Sequence, residues 1–253
     1  MDIYLTAEVG HGLGEAATEA DSSLWPLLST ALVPCGVHSG EPTSMLRACS
    51  EAMARGVAIG AAVGYADRIG GGERFIDYDP DDLAATIIYQ LGALDGLALA
   101  EQARVGCIRP SGALFDAART DRNHAWAVVN AVLDYDPTLT IIGLPGSRLL
   151  QTAERHGLNV AREFQPHRLL NANGSLGPVI TDPDVVTRRA LEAAATGNYD
   201  CIRLPWHSIA ERTTAASIHA ALIEAGHRIT ADRLTVVSDL PVHLSVAPAR
   251  TPA

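Results

Sequence analysis

The sequence predicts a single α/β domain, a modified seven-stranded parallel β/α barrel of the TIM type. Apolar, strand-like runs alternate with helical patterns about seven times, no linker interrupts the series, and polar residues follow most of the strands. A closed barrel builds its site from such loops at the carboxyl ends of the strands, whereas an open doubly wound sheet concentrates them at one or two strand ends. We therefore favour the barrel and keep the open sheet as the alternative.

The strands are predicted from short apolar runs, of which 139–144 shows the continuous pattern of a parallel strand covered on both faces. The predicted strands are 3–7, 32–35, 57–61, 105–108, 139–144, 159–164 and 200–204. Apolar residues at helical spacing and capping residues predict helices over 24–30, 43–56, 80–102, 121–133, 148–156, 183–196 and 208–225. The loops 63–79 and 165–182 are long enough to form lids or binding loops.

The C-terminal region carries weaker signals. Residues 234–237 are predicted to form a last strand or a strap, and 248–253 a disordered tail. Residues 1–247 are therefore expected to form one barrel domain.

Composition favours a small-molecule enzyme of the cytoplasm. Hydrophobic residues make up 47% of the 253 positions, and the net charge of −10 would repel nucleic acids and anionic membranes. The four cysteines form no C-x-x-C pair, which favours a reducing compartment. The sequence shows neither a signal peptide nor a membrane-spanning run, so we expect no membrane partner.

The turn at 35–41 joins a predicted strand to a helix and carries three chemically active side chains, Cys35, His38 and Glu41. An imidazole and a carboxylate three residues apart on a glycine-rich turn can face one pocket. The alternative is that His38 and Glu41 form a loop ion pair and that Cys35 belongs to the core.

Glu8 and His11 repeat this spacing after the first strand. If the first two strands are neighbours, Glu8, His11, His38 and Glu41 meet at the barrel mouth. They are candidates for general acid–base catalysis. The same imidazoles and carboxylates would also suit a zinc or manganese ion, although the sequence assigns no metal ligand.

Four further residues are candidates for substrate binding. Arg109 lies at a strand end and could hold a substrate carboxylate, or else pair with Asp67 or Glu41. Ser111 could donate a hydrogen bond, and Asp67 lies on the first long loop. Cys35 could act as a thiolate beside His38, but a buried inert thiol is the stronger expectation.

Several of these motifs together resemble the LamB/YcsF family. The matching segments are 1–12, 35–41 (C-G-V-H-S-G-E), 57–61 (V-A-I-G-A), 67–68 (D-R), 89–94 (Y-Q-L-G-A-L), 143–147 (G-L-P-G-S) and 173–176 (N-G-S-L). The resemblance implies a barrel related to sugar deacetylases. It also implies opening of a lactam such as 5-oxoproline, with ATP and partner subunits of the oxoprolinase type.

The chain departs from the family pattern at several ionisable positions. The family's first strand, D-L-N-x-D-x-G-E, keeps an acid here at Glu8 but loses the others, and the family's G-A-H-P histidine is replaced by Ala62. The family's K-P-H-G corresponds to 109–112, where Arg109 and Ser111 stand for lysine and histidine. His167, Arg168 and His207 either rebuild the pocket or are ordinary loop residues.

Three functions follow from these observations. The first is hydrolysis or formation of a cyclic amide or related C–N bond, with Glu8, Glu41 and His38 moving protons and Arg109 holding a substrate carboxylate. The second is a non-hydrolytic proton transfer such as cyclisation, isomerisation or elimination. The third is a non-catalytic small-molecule-binding subunit. No cofactor is required by the residues; a divalent metal, ATP supplied through a partner, and a homo-oligomer stay open.

Overall fold

A computed structural model describes residues 2–11, 21–171 and 175–230. Seven parallel strands close into a barrel in their order along the chain, and the seventh pairs with both the sixth and the first. The predicted seven-stranded barrel is therefore confirmed. Its strands are β1 (Asp2–Glu8), β2 (Thr30–Pro34), β3 (Ala58–Val63), β4 (Val105–Pro110), β5 (Thr140–Gly143), β6 (Val160–Phe164) and β9 (Cys201–Arg203).

Helices cover the outside of the barrel and connect most of its strands. They are α1 (Pro42–Arg55), α2 (Pro80–Ala100), α3 (Gly112–Thr120), α4 (Arg122–Tyr135), α5 (Arg148–Arg155), α6 (Pro183–Thr196) and α7 (Ile209–Glu224). Among the predicted helices, α2 and α6 begin at a side-chain cap. Asp79 caps α2 ahead of Pro80, and Asp182 accepts hydrogen bonds from the first turn of α6.

The barrel interior is small and apolar. It is filled by buried side chains from all seven strands, namely Tyr4, Leu32, Ala58, Ala62, Cys107, Ile142, Ala161 and Cys201. Gly60 belongs to the same layer, because a Cβ there would lie 2.6 Å from the Cys107 sulfur. The opposite faces of the strands pack against the helices in a much larger aliphatic core.

Three segments differ from the sequence-based expectation. Residues 24–30 form only a 3₁₀ turn (Trp25–Leu27) before β2 begins at Thr30, so the helix predicted there is wrong. The loop 165–182 contains an antiparallel pair, β7 (Arg168–Leu170) and β8 (Leu176–Val179). Helix α3 was not predicted, since its nine residues are short for a periodic signal.

The last described residues of the chain lie beside β1. A short strand, β10 (Arg228–Ile229), pairs in parallel with the beginning of β1. The strand predicted at 234–237 and the tail predicted at 248–253 lie outside the described residues.

Helix α2 alone among the described helices is long and apolar enough to cross a membrane by length and composition. Its apolar face, formed by Leu83, Ile87, Leu91 and Leu94, is completely buried in the protein. It packs against α4 and β3. A core helix of a globular barrel passes the same test, and the apolar face of this helix is part of the protein core.

Candidate active site

A layer of charged side chains lies above the apolar interior, at the carboxyl ends of the strands. Side chains alternate along a strand, so residues an even number of positions beyond an interior residue also point into the barrel. Glu8, Arg109, Glu163 and Arg203 all have this parity relative to the interior layer, and all are buried. Above them is a cavity of about 360 Å³, which we call the central cavity.

Glu8 is the residue on which most of this layer converges. Its Oε1 accepts hydrogen bonds from Ser111 Oγ at 2.7 Å and Arg203 Nη2 at 2.5 Å, and its Oε2 pairs with His11 Nε2. Burial alone would raise the pKa of Glu8, but Arg203, His11 and Arg109 outweigh burial and hold the pKa well below its usual range. Glu8 is therefore a buried carboxylate that stays ionised.

Arg109 is engaged by a second buried carboxylate. Its Nε and Nη2 donate to the two oxygens of Glu163 at 2.6 and 2.9 Å, and its Nη1 donates to the Pro110 carbonyl at 2.9 Å. The guanidinium also lies over the Phe115 ring, 4.1 Å from its centroid. Arg109 thus pairs with Glu163 and not with Asp67 or Glu41, the two partners that the sequence suggested.

His38 lines the central cavity as a neutral imidazole. Its side chain is 3% exposed, and neither ring nitrogen has a hydrogen-bond partner among the described residues. Burial lowers the pKa of His38 to about 4, although the nearby charge of Glu8 acts in the opposite direction. Two glycines leave room for the ring, since a Cβ at Gly64 would lie 2.7 Å from Nδ1 and one at Gly72 would lie 3.1 Å from the His38 Cβ.

His11 is fixed in orientation by three neighbours. Its Nε2 pairs with Glu8, its Nδ1 lies 2.8 Å from Ser39 Oγ, and its ring stacks on Trp206 with centroids 4.6 Å apart. A carboxylate on Nε2 favours the tautomer that carries the proton there, so that Nδ1 accepts from the serine hydroxyl. His11 therefore positions Glu8 and closes one side of the central cavity.

The loop 64–79 covers the central cavity and is tied to the surrounding turns. Arg68 Nη1 donates to the carbonyl oxygens of Gly36 and Gly40 at 2.7 and 2.6 Å. Asp67 accepts from the Gly70 amide and pairs with Arg74, which shapes the glycine run. The Gly72 carbonyl accepts from the Ala113 amide at 2.9 Å, which joins the loop to the start of α3.

The structure brings five of the eight predicted site residues together and places three elsewhere. Glu8, His11, His38, Arg109 and Ser111 line the central cavity. Glu41 instead caps α1 in a capping box with Ser44. Asp67 accepts hydrogen bonds from the Gly70 amide and the Arg74 side chain within its own loop. The Cys35 thiol lies in the hydrophobic core beside Cys49, where burial raises its pKa, so it is not an activated thiolate.

Sequence reasoning missed Glu163 and Arg203 and left His167 undecided. Glu163 and Arg203 are charged residues at inward-facing positions of β6 and β9, at 0% and 6% exposure. A buried charge requires a partner of opposite charge. A charged residue at an inward-facing position of a predicted strand was therefore the signal that could have identified both. His167, Arg168 and His207 do line the central cavity, which favours the view that they rebuild the pocket.

These residues do not fit a divalent cation. Across residues 2–11, 21–171 and 175–230, no group of three or more His, Cys, Asp or Glu side chains is arranged to hold a metal ion. The Glu8 Oε1 that a cation would need already faces Arg203, Arg109 and Ser111, and the Glu8 Oε2 pairs with His11. The charge that balances Glu8 is therefore supplied by arginine.

Comparison with known proteins matches this chain to one family along most of its length. The LamB/YcsF family profile matches residues 3–230. The A subunit of 5-oxoprolinase from Streptomyces avermitilis is 41% identical over 204 residues, which cover 78% of this chain and 82% of that relative. The corresponding 5-oxoprolinase polypeptide of Mycobacterium ulcerans is 38% identical over 206 residues, or 79% of this chain and 82% of that protein.

A solved structure agrees with the sequence matches. The lactam utilization protein from Thermus thermophilus superposes with a TM-score of 0.85 and 34% identity, covering 91% of this chain and all of that chain. The resemblance inferred from the strand-end motifs is confirmed. The chain belongs to the LamB/YcsF family.

Proposed function

We propose that this protein opens the ring of a small cyclic amide of the 5-oxoproline type by general acid–base catalysis. One observation carries the proposal: an ionised Glu8 faces the same cavity as a neutral His38 whose ring nitrogens have no partner among the described residues. The relatives named as the A subunit of 5-oxoprolinase and the structure named lactam utilization protein support a cyclic amide as the substrate.

In this proposal His38 is the group that moves protons. A neutral imidazole accepts a proton from the water that attacks the amide carbon, and it returns that proton to the ring nitrogen as the C–N bond breaks. The products are a carboxylic acid and an amine, which become a carboxylate and an ammonium group once the acid's proton passes to the amine. The buried charge of Glu8 favours the imidazolium form of His38 that exists between the two transfers.

Glu8 itself serves as a fixed anion. A carboxylate whose pKa is held well below its usual range is a weak base, so Glu8 is better suited to orienting groups and balancing charge. Ser111 and His11 fix its two oxygens. Arg109 contributes indirectly, because its pairing with Glu163 holds the wall of the central cavity.

Partners and location follow from the same comparisons. Since the curated relatives are named as one subunit of 5-oxoprolinase, we infer that this chain works with oxoprolinase-type partner subunits and that any use of ATP takes place on a partner. The cysteines at 35, 49, 107 and 201 are buried free thiols, which supports the cytoplasm as its compartment.

A second reaction class is favoured by one feature of the site. His38 has two unpartnered ring nitrogens among the described residues, and a single imidazole can shuttle a proton within a substrate without any water attack. Cyclisation, isomerisation or elimination would need only this group and the fixed charge of Glu8.

The experiment uses 5-oxoproline in ¹⁸O-labelled water, with this protein, ATP and the partner subunits that accompany the Streptomyces avermitilis relative. Ring opening places one ¹⁸O in the carboxylate of the glutamate product, whereas the second reaction class places none. His38→Asn should lower turnover at least about 100-fold. His156→Asn, on the exposed end of α5, is the matched control. Unchanged turnover by His38→Asn would refute the proposal.

A further inference from the structure

Three residues of the central cavity carry buried nitrogen atoms that have no hydrogen-bond partner in the described part of the chain. They are Nη1 of Arg203, Nδ1 of His167 and both ring nitrogens of His38. A buried polar group without a partner costs roughly 1–3 kcal/mol, so such groups in a cavity are prepared for a ligand.

Only one of the two terminal nitrogens of the Arg203 guanidinium donates a hydrogen bond to a described residue. Its Nη2 donates to Glu8, while Nη1 of the same guanidinium is buried and has no partner among the described residues. Arg109 differs, since its Nε, Nη1 and Nη2 all donate to Glu163 or to Pro110. An anion entering the central cavity therefore finds on Arg203 a buried nitrogen that donates to no described residue, whereas every side-chain nitrogen of Arg109 already donates.

His167 lies close to this donor. It lines the same cavity, and Arg203 is the charge that most lowers its pKa after burial itself, which together bring the pKa to about 3. A neutral imidazole donates one hydrogen bond, and an arriving anion selects the tautomer with the proton on Nδ1.

The other charged residues of the central cavity restrict where an anion can sit. Glu73 and Asp116 also line it, and burial together with the charges of Glu8 and Asp116 raises the pKa of Glu73. A ligand carboxylate would be repelled by these acids. The side of the cavity formed by Arg203 and His167 is the favourable one.

We propose that Arg203 Nη1 and His167 Nδ1 form the subsite that binds the carboxylate of the substrate. This inference rests on the proposed function and names the residues that select an anionic cyclic amide over a neutral one. One guanidinium then contacts both Glu8 and the substrate, which places the amide beside Glu8 and within the cavity that His38 lines.

Calorimetric titration of this protein together with the partner subunits and without ATP, using 5-oxoproline and 2-pyrrolidinone, the same lactam without the carboxylate, tests this subsite. Arg203→Lys keeps a charge beside Glu8 but has no second nitrogen for the ligand. It should weaken 5-oxoproline binding about 10- to 100-fold, the loss of one charge-assisted hydrogen bond. Binding of 2-pyrrolidinone should change less than about twofold. Arg162→Lys, on β6 and paired with Asp200 outside the central cavity, is the matched control.

His167→Leu provides a second variant, which removes the Nδ1 donor and leaves the Glu8 network intact. We expect it to weaken 5-oxoproline binding about fivefold, as for a neutral hydrogen bond, even where Arg203→Lys fails to fold. Unchanged preference for 5-oxoproline in both variants would overturn the assignment. Loss of that preference in Arg168→Lys alone would also overturn it in favour of Arg168. If the unaltered protein binds neither lactam, the proposed function fails and this inference fails with it.

Discussion

Glu8 and Arg203 are 195 residues apart in the chain, yet the Arg203 Nη2 lies 2.5 Å from the Glu8 Oε1. Their strands, β1 and β9, are hydrogen-bonded neighbours in the barrel. The pair is buried, so each charge depends on the other for compensation.

Glu8→Gln should destabilise the protein strongly. Removing one member of a buried ion pair leaves the other charge uncompensated, which costs about 3–5 kcal/mol. Urea unfolding at pH 7 measures the loss. Glu51→Gln is the control, since Glu51 pairs with Arg55 on the surface of α1 and such pairs contribute under about 1 kcal/mol. Equal losses in the two variants would show that the Glu8 pair is not stabilising.

The free energy of unfolding should decrease as the pH is lowered, because His38 resists protonation in the folded protein. Its pKa is lowered from 6.5 to about 4 in the folded protein, so between these values the unfolded chain binds more protons than the folded one. Stability therefore rises with pH across this window and levels off above about pH 7.5. Across this window His38 changes the free energy of unfolding by an amount on the order of 3 kcal/mol. The lowered pKa of His167 adds a pH dependence of the same sign.

Urea unfolding of His38→Asn between about pH 4.5 and 7.5 checks this dependence. The variant should show a smaller slope of unfolding free energy against pH than the unaltered protein, while His156→Asn should keep the original slope. A variant slope equal to the original would mean that His38 has an ordinary pKa.

If His38 moves protons as proposed, Gly64→Ala should lower turnover of 5-oxoproline by moving the His38 ring. A Cβ at this position would lie 2.7 Å from Nδ1, closer than carbon and nitrogen approach without a shift. Displacement of a reacting group by about 1 Å can lower the rate about 100-fold. Steady-state kinetics with the lactam substrate, and the NMR signals of His38, report the change.

Gly96→Ala is the matched control for this substitution. Gly96 lies inside α2, and a Cβ there meets no atom within 4 Å among the described residues. Alanine in a helix interior should add up to about 1 kcal/mol of stability and leave the rate unchanged. Equal rates for the two alanine variants would contradict the close packing around His38.

Arg109 and Glu163 should show strong energetic coupling. Arg109→Met and Glu163→Leu should each cost about 3–5 kcal/mol, and the double substitution much less than the sum of the two. A double-mutant cycle by urea unfolding measures the coupling. The exposed pair of Arg188 and Glu192 should give less than about 0.5 kcal/mol in the same cycle. A coupling as small as that of the surface pair would argue against a structural role for Arg109.

The sequence predicted the barrel and half of the site because both depend on local patterns. Glu8 and His38 each follow an apolar run, and parallel strands bring their carboxyl ends to one face. Glu41 was assigned to the site because spacing alone does not separate a catalytic acid from a helix cap; its side chain satisfies a backbone amide of α1.

Glu163 and Arg203 could not be assigned from local pattern alone. Each finds its partner only when the barrel closes, because that partner is a charged residue on a distant strand. Their inward parity can be read from the alternation along β6 and β9, but the choice of partner depends on strand order. Ion pairs between residues so far apart in the chain cannot be predicted from local sequence patterns.

The insertion of β9 between β6 and β1 sets the order in which this protein can mature. During synthesis Glu8 leaves the ribosome long before Arg203 exists, so its carboxylate stays hydrated until nearly the whole barrel has been made. Pairing of such distant segments is slow compared with local contacts. The central cavity therefore forms late in folding, and a nascent chain that stops short of β9 lacks the part of its wall that Arg203 supplies.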